Sequence, residues 1–141
     1  ALKDLKVGDM PQTSYVAGLT LTPISGLKLQ VLYNIYDDNY SDWSPDSREI
    51  GDDGEADREQ VWMAPGYSKM DVHVSYNLPE MAGMRVQAFA HIFNALDAVY
   101  VQDAVDNSNY NSYGDKVHAA HNAEVFLGSQ RYFNAGIKVN F

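Results

Sequence analysis

The chain has 141 residues and a mass of 15.7 kDa, which is enough for one domain or a piece of one and too little for two substantial cores. With 45% hydrophobic and 21% charged residues it has the composition of a folded chain, so disorder is excluded. Ten Lys and Arg against nineteen Asp and Glu, a net charge of -9, argue against nucleic acid as a partner, and the absence of Cys excludes disulfides, thiolate metal sites and a cysteine nucleophile.

The hydrophobic pattern has a period of two, the signature of strands with one apolar face. From Tyr15 onward Tyr15, Ala17, Leu19 and Leu21 alternate with Val16, Gly18, Thr20 and Thr22, and Pro23-Ile24-Ser25-Gly26 follows as a tight turn. Leu27, Leu29, Val31, Tyr33 and Ile35 then alternate with Lys28, Gln30, Leu32, Asn34 and Tyr36. The spacing predicts an antiparallel hairpin with strands at about 13–23 and 27–36. Residues 37–60 hold ten of the acidic residues and two basic ones, Arg48 and Arg58, with Pro45, Gly51 and Gly54 and no apolar period. Segment 37–66 is therefore expected to be a long exposed connection.

Alternation resumes at about 69–78, where Met70, Val72, Val74, Tyr76 and Leu78 interleave with Asp71, His73, Ser75 and Asn77. After a turn at Pro79–Gly83, a strand at about 84–93 places Val86, Ala88, Ala90 and Ile92 opposite Arg85, Gln87, Phe89, His91 and Phe93. A second long connection is expected over 94–123, with Asn107, Asn109 and Asn111 marking a turn-rich loop. The last strand, 132–141, carries Phe133, Ala135, Ile137, Val139 and Phe141 at every second position.

The prediction is thus an all-β chain, an antiparallel meander of about five long strands whose connections alternate short and long. Strands of this length suffice to cross a bilayer when tilted, and that asymmetry of connections describes an outer-membrane barrel. No run reaches the roughly 18 apolar residues of a transmembrane helix, and residues 1–20 do not read as a signal peptide. A soluble antiparallel sheet with one buried face produces the same alternation.

The whole chain resembles the C-terminal end of the barrel of TonB-dependent outer-membrane receptors, especially those of Bacteroidetes. The resemblance rests on LKVGDMPQTSYVAGLT from Leu5 to Thr20, TPISGLKL, YNIYDDNYSDW, LPEMAGMRV, HIFNALDAVYV and VFLGSQRYFNAGIKVNF, in that order and spacing. It implies that 1–141 is a C-terminal fragment of a 22-stranded transmembrane barrel, without plug domain or TonB box, located in the bacterial cell outer membrane. The function implied is active uptake of a nutrient of the siderophore, vitamin, metal or glycan class. Implied partners are the remainder of the receptor barrel and plug, outer-membrane lipid, the TonB system indirectly through the plug, and the barrel-assembly machinery. Phe133, Ala135, Ile137, Val139 and Phe141 match the assembly signal of such barrels. Family topology puts the C-terminus and both short turns on the periplasmic side and both long connections outside the cell. Five strands cannot close a barrel, so the isolated chain is expected to oligomerise or exchange strands.

Candidate chemistry is sparse. His118 and His121, with Glu124 nearby, are metal-ligand types at a weakly specific spacing and read more readily as polar loop residues. His73 and His91 lie on the polar faces of neighbouring strands, where they can approach each other across the hairpin as lumen-lining residues. Asp52-Asp53-Gly54-Glu55-Ala56-Asp57 offers carboxylates of the kind Ca²⁺ prefers but lacks EF-hand spacing, and reads as a solvated acidic loop. Tyr33, Tyr36, Tyr40 and Trp43, with Tyr76 and Phe141 at the other end, suggest interfacial girdles. No nucleophile elbow, phosphate loop or catalytic carboxylate pair is present, so neither an enzyme nor a bound cofactor is expected. The alternatives are a soluble β-sheet carbohydrate-binding or adhesion module and a small porin-like barrel built from several copies.

Overall fold

The computed structural model describes residues 4–48, 54–80, 83–108 and 117–141. The chain is all-β, with strands β1 (Pro11–Leu21), β2 (Leu27–Tyr40), β3 (Met63–Ala64), β4 (Tyr67–Asn77), β5 (Arg85–Phe93), β6 (Val101–Asp106), β7 (Ala123–Leu127) and β8 (Tyr132–Asn140). One sheet has the order β1-β2-β4-β5-β8 with β3 paired to β2, and a second consists of β6 and β7. Among the described residues β1 and β8 have a neighbour on one side only, and no barrel is closed. No described helix is long and apolar enough to cross a membrane, which leaves crossing by strands untouched.

The contacts divide the chain into two compact units. A sheet unit comprises Tyr15–Ile35, Ser68–Val99 and Ser129–Phe141, and an insert unit comprises Ala1–Ser14, Tyr36–Tyr67 and Tyr100–Gly128.

In the sheet unit the two-residue period becomes cross-strand rows. Val72, Ile92 and Phe133 are opposite one another on β4, β5 and β8, as are Val74, Ala90 and Ala135, then Tyr76, Ala88 and Ile137. The intervening rows are His73, His91 and Asn134, then Ser75, Phe89 and Gly136, then Asn77, Gln87 and Lys138. Since successive side chains point to opposite faces, one face is apolar and the other largely polar. None of the apolar-face side chains in these rows is buried, and Phe133 and Ile137 are each 71% exposed.

The corner after β5 is set by Asn94, which is buried and adopts φ 50°, a left-handed conformation that Asn tolerates better than most residues. Its Nδ2 donates to the Ala98 and Ser129 carbonyls at 2.9 and 3.1 Å, its Oδ1 accepts from Ala98 N–H, and its own N–H donates to the buried Asp71 carboxylate at 2.9 Å.

The insert unit differs from expectation. Segments 37–66 and 94–123, read as long exposed connections, include the last four residues of β2, then β3, β6 and part of β7. They also hold every buried apolar side chain among the described residues: Val61, Ala64, Tyr100 and Ala104. Ser41 N–H donates to the Trp62 carbonyl, Asp42 N–H to Ala104, and Asp106 N–H to Asp42, so the backbone of an aperiodic sequence is satisfied by short ladders. Tyr67 lies between Tyr36, tilted at a centroid distance of 4.9 Å, and Tyr100, stacked at 4.2 Å, which adds aromatic contact area to the unit. Asp52, Asp53, Asn109, Asn111 and Met81–Ala82 of the second turn lie outside the described residues.

Candidate functional site

Three places bring chemistry-bearing side chains together: the C-terminal strand, a buried charge cluster in the insert unit and a histidine pair in the sheet unit.

The terminal strand pairs with β5 through nine residue pairs, from Phe93↔Tyr132 to Arg85↔Asn140. Phe133, Ala135, Ile137 and Val139 are opposite Ile92, Ala90, Ala88 and Val86 on the apolar face, and Phe141, beyond the strand, is 98% exposed. The outer edge of β8 has no partner among the described residues.

The charge cluster forms around Arg48, at the end of the 3-10 turn Pro45–Arg48 and 1% exposed. Its Nη1 donates to the Glu59 carbonyl at 2.8 Å and lies 3.2 Å from Asp57 Oδ1, and its Nη2 lies 3.4 Å from Asp106 Oδ2. The guanidinium sits 5.5 Å from the centre of the Trp43 ring, whose Nε1–H donates to the Lys6 carbonyl. His118, also buried, has Nε2 2.7 Å from Asp57 Oδ2 and Nδ1 2.7 Å from Asp106 Oδ2. Nε2 has a second neighbour, Arg48 Nη1, also at 2.7 Å. Protonated, it donates to the carboxylate; unprotonated, it accepts from the guanidinium. Either state finds a partner. Ser108 Oγ–H donates to Asp106 Oδ2 at 3.2 Å and closes the ring of contacts around Nδ1.

Burial pushes the Asp57 carboxyl up, but the hydrogen bond from His118, the Glu59 backbone N–H and the positive charges of Arg48 and His118 outweigh it. The carboxyl therefore titrates below its ordinary value. Two carboxylates offset by a guanidinium and an imidazole are what allows charged groups to leave water here, because an unpaired charge would cost several kcal/mol. Arg48 Nε is the one atom of that guanidinium without a hydrogen-bond partner among the described residues.

His118 is not a loop histidine in solvent: carboxylates occupy both its ring nitrogens, so neither is offered to a metal. His121 is exposed and Glu124 accepts from Asn107 Nδ2 at 2.9 Å. Among the described residues no group of three His, Asp or Glu side chains is arranged to hold a metal ion. Asp57, read as part of a solvated acidic loop, is instead buried between Arg48 and His118. Tyr36 and Trp43, placed in a girdle by the sequence, pack within the insert unit, whereas Tyr33 donates its hydroxyl to Ser68 Oγ at 2.8 Å. Sequence reasoning missed Arg48, Asp57 and Asp106 as partners of His118. The available signal was a rare cation within a run of acids, because buried charges come paired.

In the sheet unit His73 and His91 are directly opposite, with Nδ1 atoms 2.8 Å apart, so the approach expected from the alternation is present. Lys28, Gln30 and Ser75 border the same shallow depression.

Comparison with protein-family models, with curated proteins and with solved structures found no match to this chain.

Proposed function

We propose that this chain is the C-terminal barrel portion of a TonB-dependent outer-membrane receptor, an active transporter for nutrient uptake. The observation that carries the reading is the sheet of long strands whose apolar face holds no buried side chain. β1, β2, β4, β5 and β8 have 11, 14, 11, 9 and 9 residues, spanning the length a tilted strand needs to cross the hydrocarbon. A soluble sheet covers such a face with a second layer. In this reading lipid covers it, and Leu29, Val31, Val72, Val74, Val86, Ala88, Ile137 and Val139 are the lipid-facing residues. Lys28, Gln30, Asp71, His73, Arg85, Gln87, Asn134 and Lys138 line the lumen.

The remainder of the barrel pairs with the two free edges, since an unpaired edge in lipid leaves backbone groups without hydrogen bonds. The long connections belong to the extracellular side and take part in capturing the nutrient, the plug rearranges on coupling to TonB, and the barrel wall seals the conduit. Phe133, Ala135, Ile137, Val139 and Phe141 present the terminal strand to the assembly machinery.

The test compares Val74→Arg with Ser75→Arg, adjacent in β4 and on opposite faces, in the membrane-embedded barrel. The expected loss is about 2–4 kcal/mol at Val74 and much less at Ser75. Equal losses would overturn the reading. So would a cooperatively unfolding monomer of the 15.7 kDa chain in plain buffer, which would favour the soluble β-sheet module.

A further inference from the structure

We infer that His73 and His91 form a two-imidazole binding site for a divalent cation of the Cu²⁺ or Ni²⁺ type on the polar face of the sheet. The inference stands on the β4–β5 register and side-chain geometry and does not rest on the transport reading.

The two residues face each other across the ladder and their Nδ1 atoms are 2.8 Å apart. At that distance one N–H donates to the lone pair of the other ring, and once that proton leaves the two Nδ1 atoms are close enough to share one cation through a small tilt of each ring. A cation about 2.0–2.1 Å from each nitrogen would subtend about 85–90° between them. That angle is the cis edge of a tetragonal or square-planar coordination sphere, which Cu²⁺ and Ni²⁺ adopt. A tetrahedral Zn²⁺ would require the nitrogens to separate to about 3.3 Å at the same bond length. Geometry and the general affinity order of divalent ions therefore point the same way.

Both rings are held before any ion arrives. The His73 ring meets Phe93 edge-on at 5.5 Å, and His91 lies 5.3 Å from Phe89 and 6.0 Å from Phe93. Phe93 is in turn stacked on Tyr132 at 4.6 Å. Phe89 lies over Gly136, where a Cβ would come within 2.6 Å of its Cζ, so the glycine lets that ring settle on β8 beside His91. Ligands placed on paired strands and fixed by packed neighbours lose little freedom on binding. Both histidines are half-buried beside an open depression, which leaves the remaining coordination positions to water or to an anionic oxygen ligand drawn by Lys28.

The binding step balances without an external proton donor. Two waters leave the aqua ion, the proton on the Nδ1–Nδ1 line moves to Nε2 of the donating ring, and both Nδ1 lone pairs enter the coordination sphere. No other described histidine offers such a pair: His118 is engaged by Asp57 and Asp106, and His121 is exposed with no second imidazole hydrogen-bonded to it.

The test titrates the full chain in detergent micelles with CuCl₂, NiCl₂ and ZnCl₂, following affinity by competition and Cu²⁺ coordination by electron paramagnetic resonance. The expected order is Cu²⁺ tightest, with two nitrogen couplings in the copper spectrum. His73→Asn or His91→Asn should each weaken Cu²⁺ binding about 100-fold, because a tethered second ligand contributes on that scale, and should leave one nitrogen coupling. His121→Asn should change neither. Saturating Cu²⁺ should also raise the Tm of the unsubstituted chain, a readout independent of how the variants fold. Unchanged copper affinity in both His73 and His91 variants, Zn²⁺ binding tighter than Cu²⁺, or a Tm insensitive to copper would each overturn the site.

Discussion

The sheet unit and the insert unit solve opposite problems. The sheet unit has the regular sequence, with long strands, β-branched and aromatic residues and strict alternation, yet its apolar face buries nothing among the described residues. The insert unit has the irregular, acidic sequence, and it contains the buried apolar residues found among the described ones, Val61, Ala64, Tyr100 and Ala104, together with Arg48, Asp57 and His118. Hydrophobic pattern and burial are therefore separate properties. Pattern says which side chains share a face; burial says whether anything covers that face, and a guanidinium and an imidazole set against two carboxylates can be covered as well as apolar groups when they offset one another.

The largest separate effect on one unit is expected at Arg48. Arg48→Met leaves Asp57 and Asp106 without their guanidinium and should destabilise the insert unit by about 3–5 kcal/mol. Hydrogen exchange would show lost protection in β6 and β7 with β4 and β5 retained, and Asp57→Asn on top of Arg48→Met should recover part of the loss. Equal loss in β4 and β5 would mean that the two units unfold as one.

Next come two glycines that lie beneath aromatic rings, one in each unit. A Cβ at Gly128 would collide with the Tyr100 ring, which is buried, and one at Gly136 would meet Phe89, which is half-buried. Gly128→Ala should cost about 1–3 kcal/mol, and Gly136→Ala the smaller share of that range because its ring has solvent to turn into. Chemical denaturation of both variants ranks them, and a reversed order would say that Tyr100 relaxes more easily than its burial implies.

Acid should separate the units more gently. The Asp57 carboxyl lies below its ordinary value of 3.8 in the folded chain, so above that value its contribution is fully present, and it is lost as pH falls through the lower, folded value. Acid denaturation followed at the His118 ring by NMR should show this loss, and Asp57→Asn should remove it. A profile unchanged by the substitution would assign the acid sensitivity to another carboxyl. The smallest effect belongs to the surface pair Arg85–Glu80, 3.5 Å apart and largely exposed. Glu80→Ala should move stability by no more than about 0.5 kcal/mol in a thermal melt.

Much of the sheet was legible because a strand writes its facing into every second residue. Val72, Val74 and Tyr76 against His73, Ser75 and Asn77 is a pattern that one chain segment supplies by itself. The insert unit offers no such local record. β7 has five residues and β3 has two, shorter than a period can reveal, and β6, Val101–Asp106, mixes polar and apolar residues on both parities. His118 stands out in the sequence by its type, but its partners Asp57 and Arg48 lie 61 and 70 positions away, and no spacing rule links residues at that distance. The histidine pair was legible for the opposite reason: His73 and His91 sit on polar parities of two strands joined by a short turn, which makes them neighbours on any hairpin register that keeps the apolar rows together.

The pairing of β8 with β5 also sets an order in time. β4 and β5 meet across a short turn, with Asn77 opposite Gln87, whereas the nearest pair between β5 and β8 is Phe93 and Tyr132, with β6 and β7 between them. Closing the longer span costs about 1 kcal/mol more in chain entropy, and the contacts that repay it are non-local. The β4–β5 hairpin is therefore expected to form early and the terminal strand to add last, so that the sheet grows toward the end of the chain. Pulsed hydrogen exchange during refolding would show β4 and β5 amides protected ahead of those of β8, and simultaneous protection of all three would contradict this sequence of events.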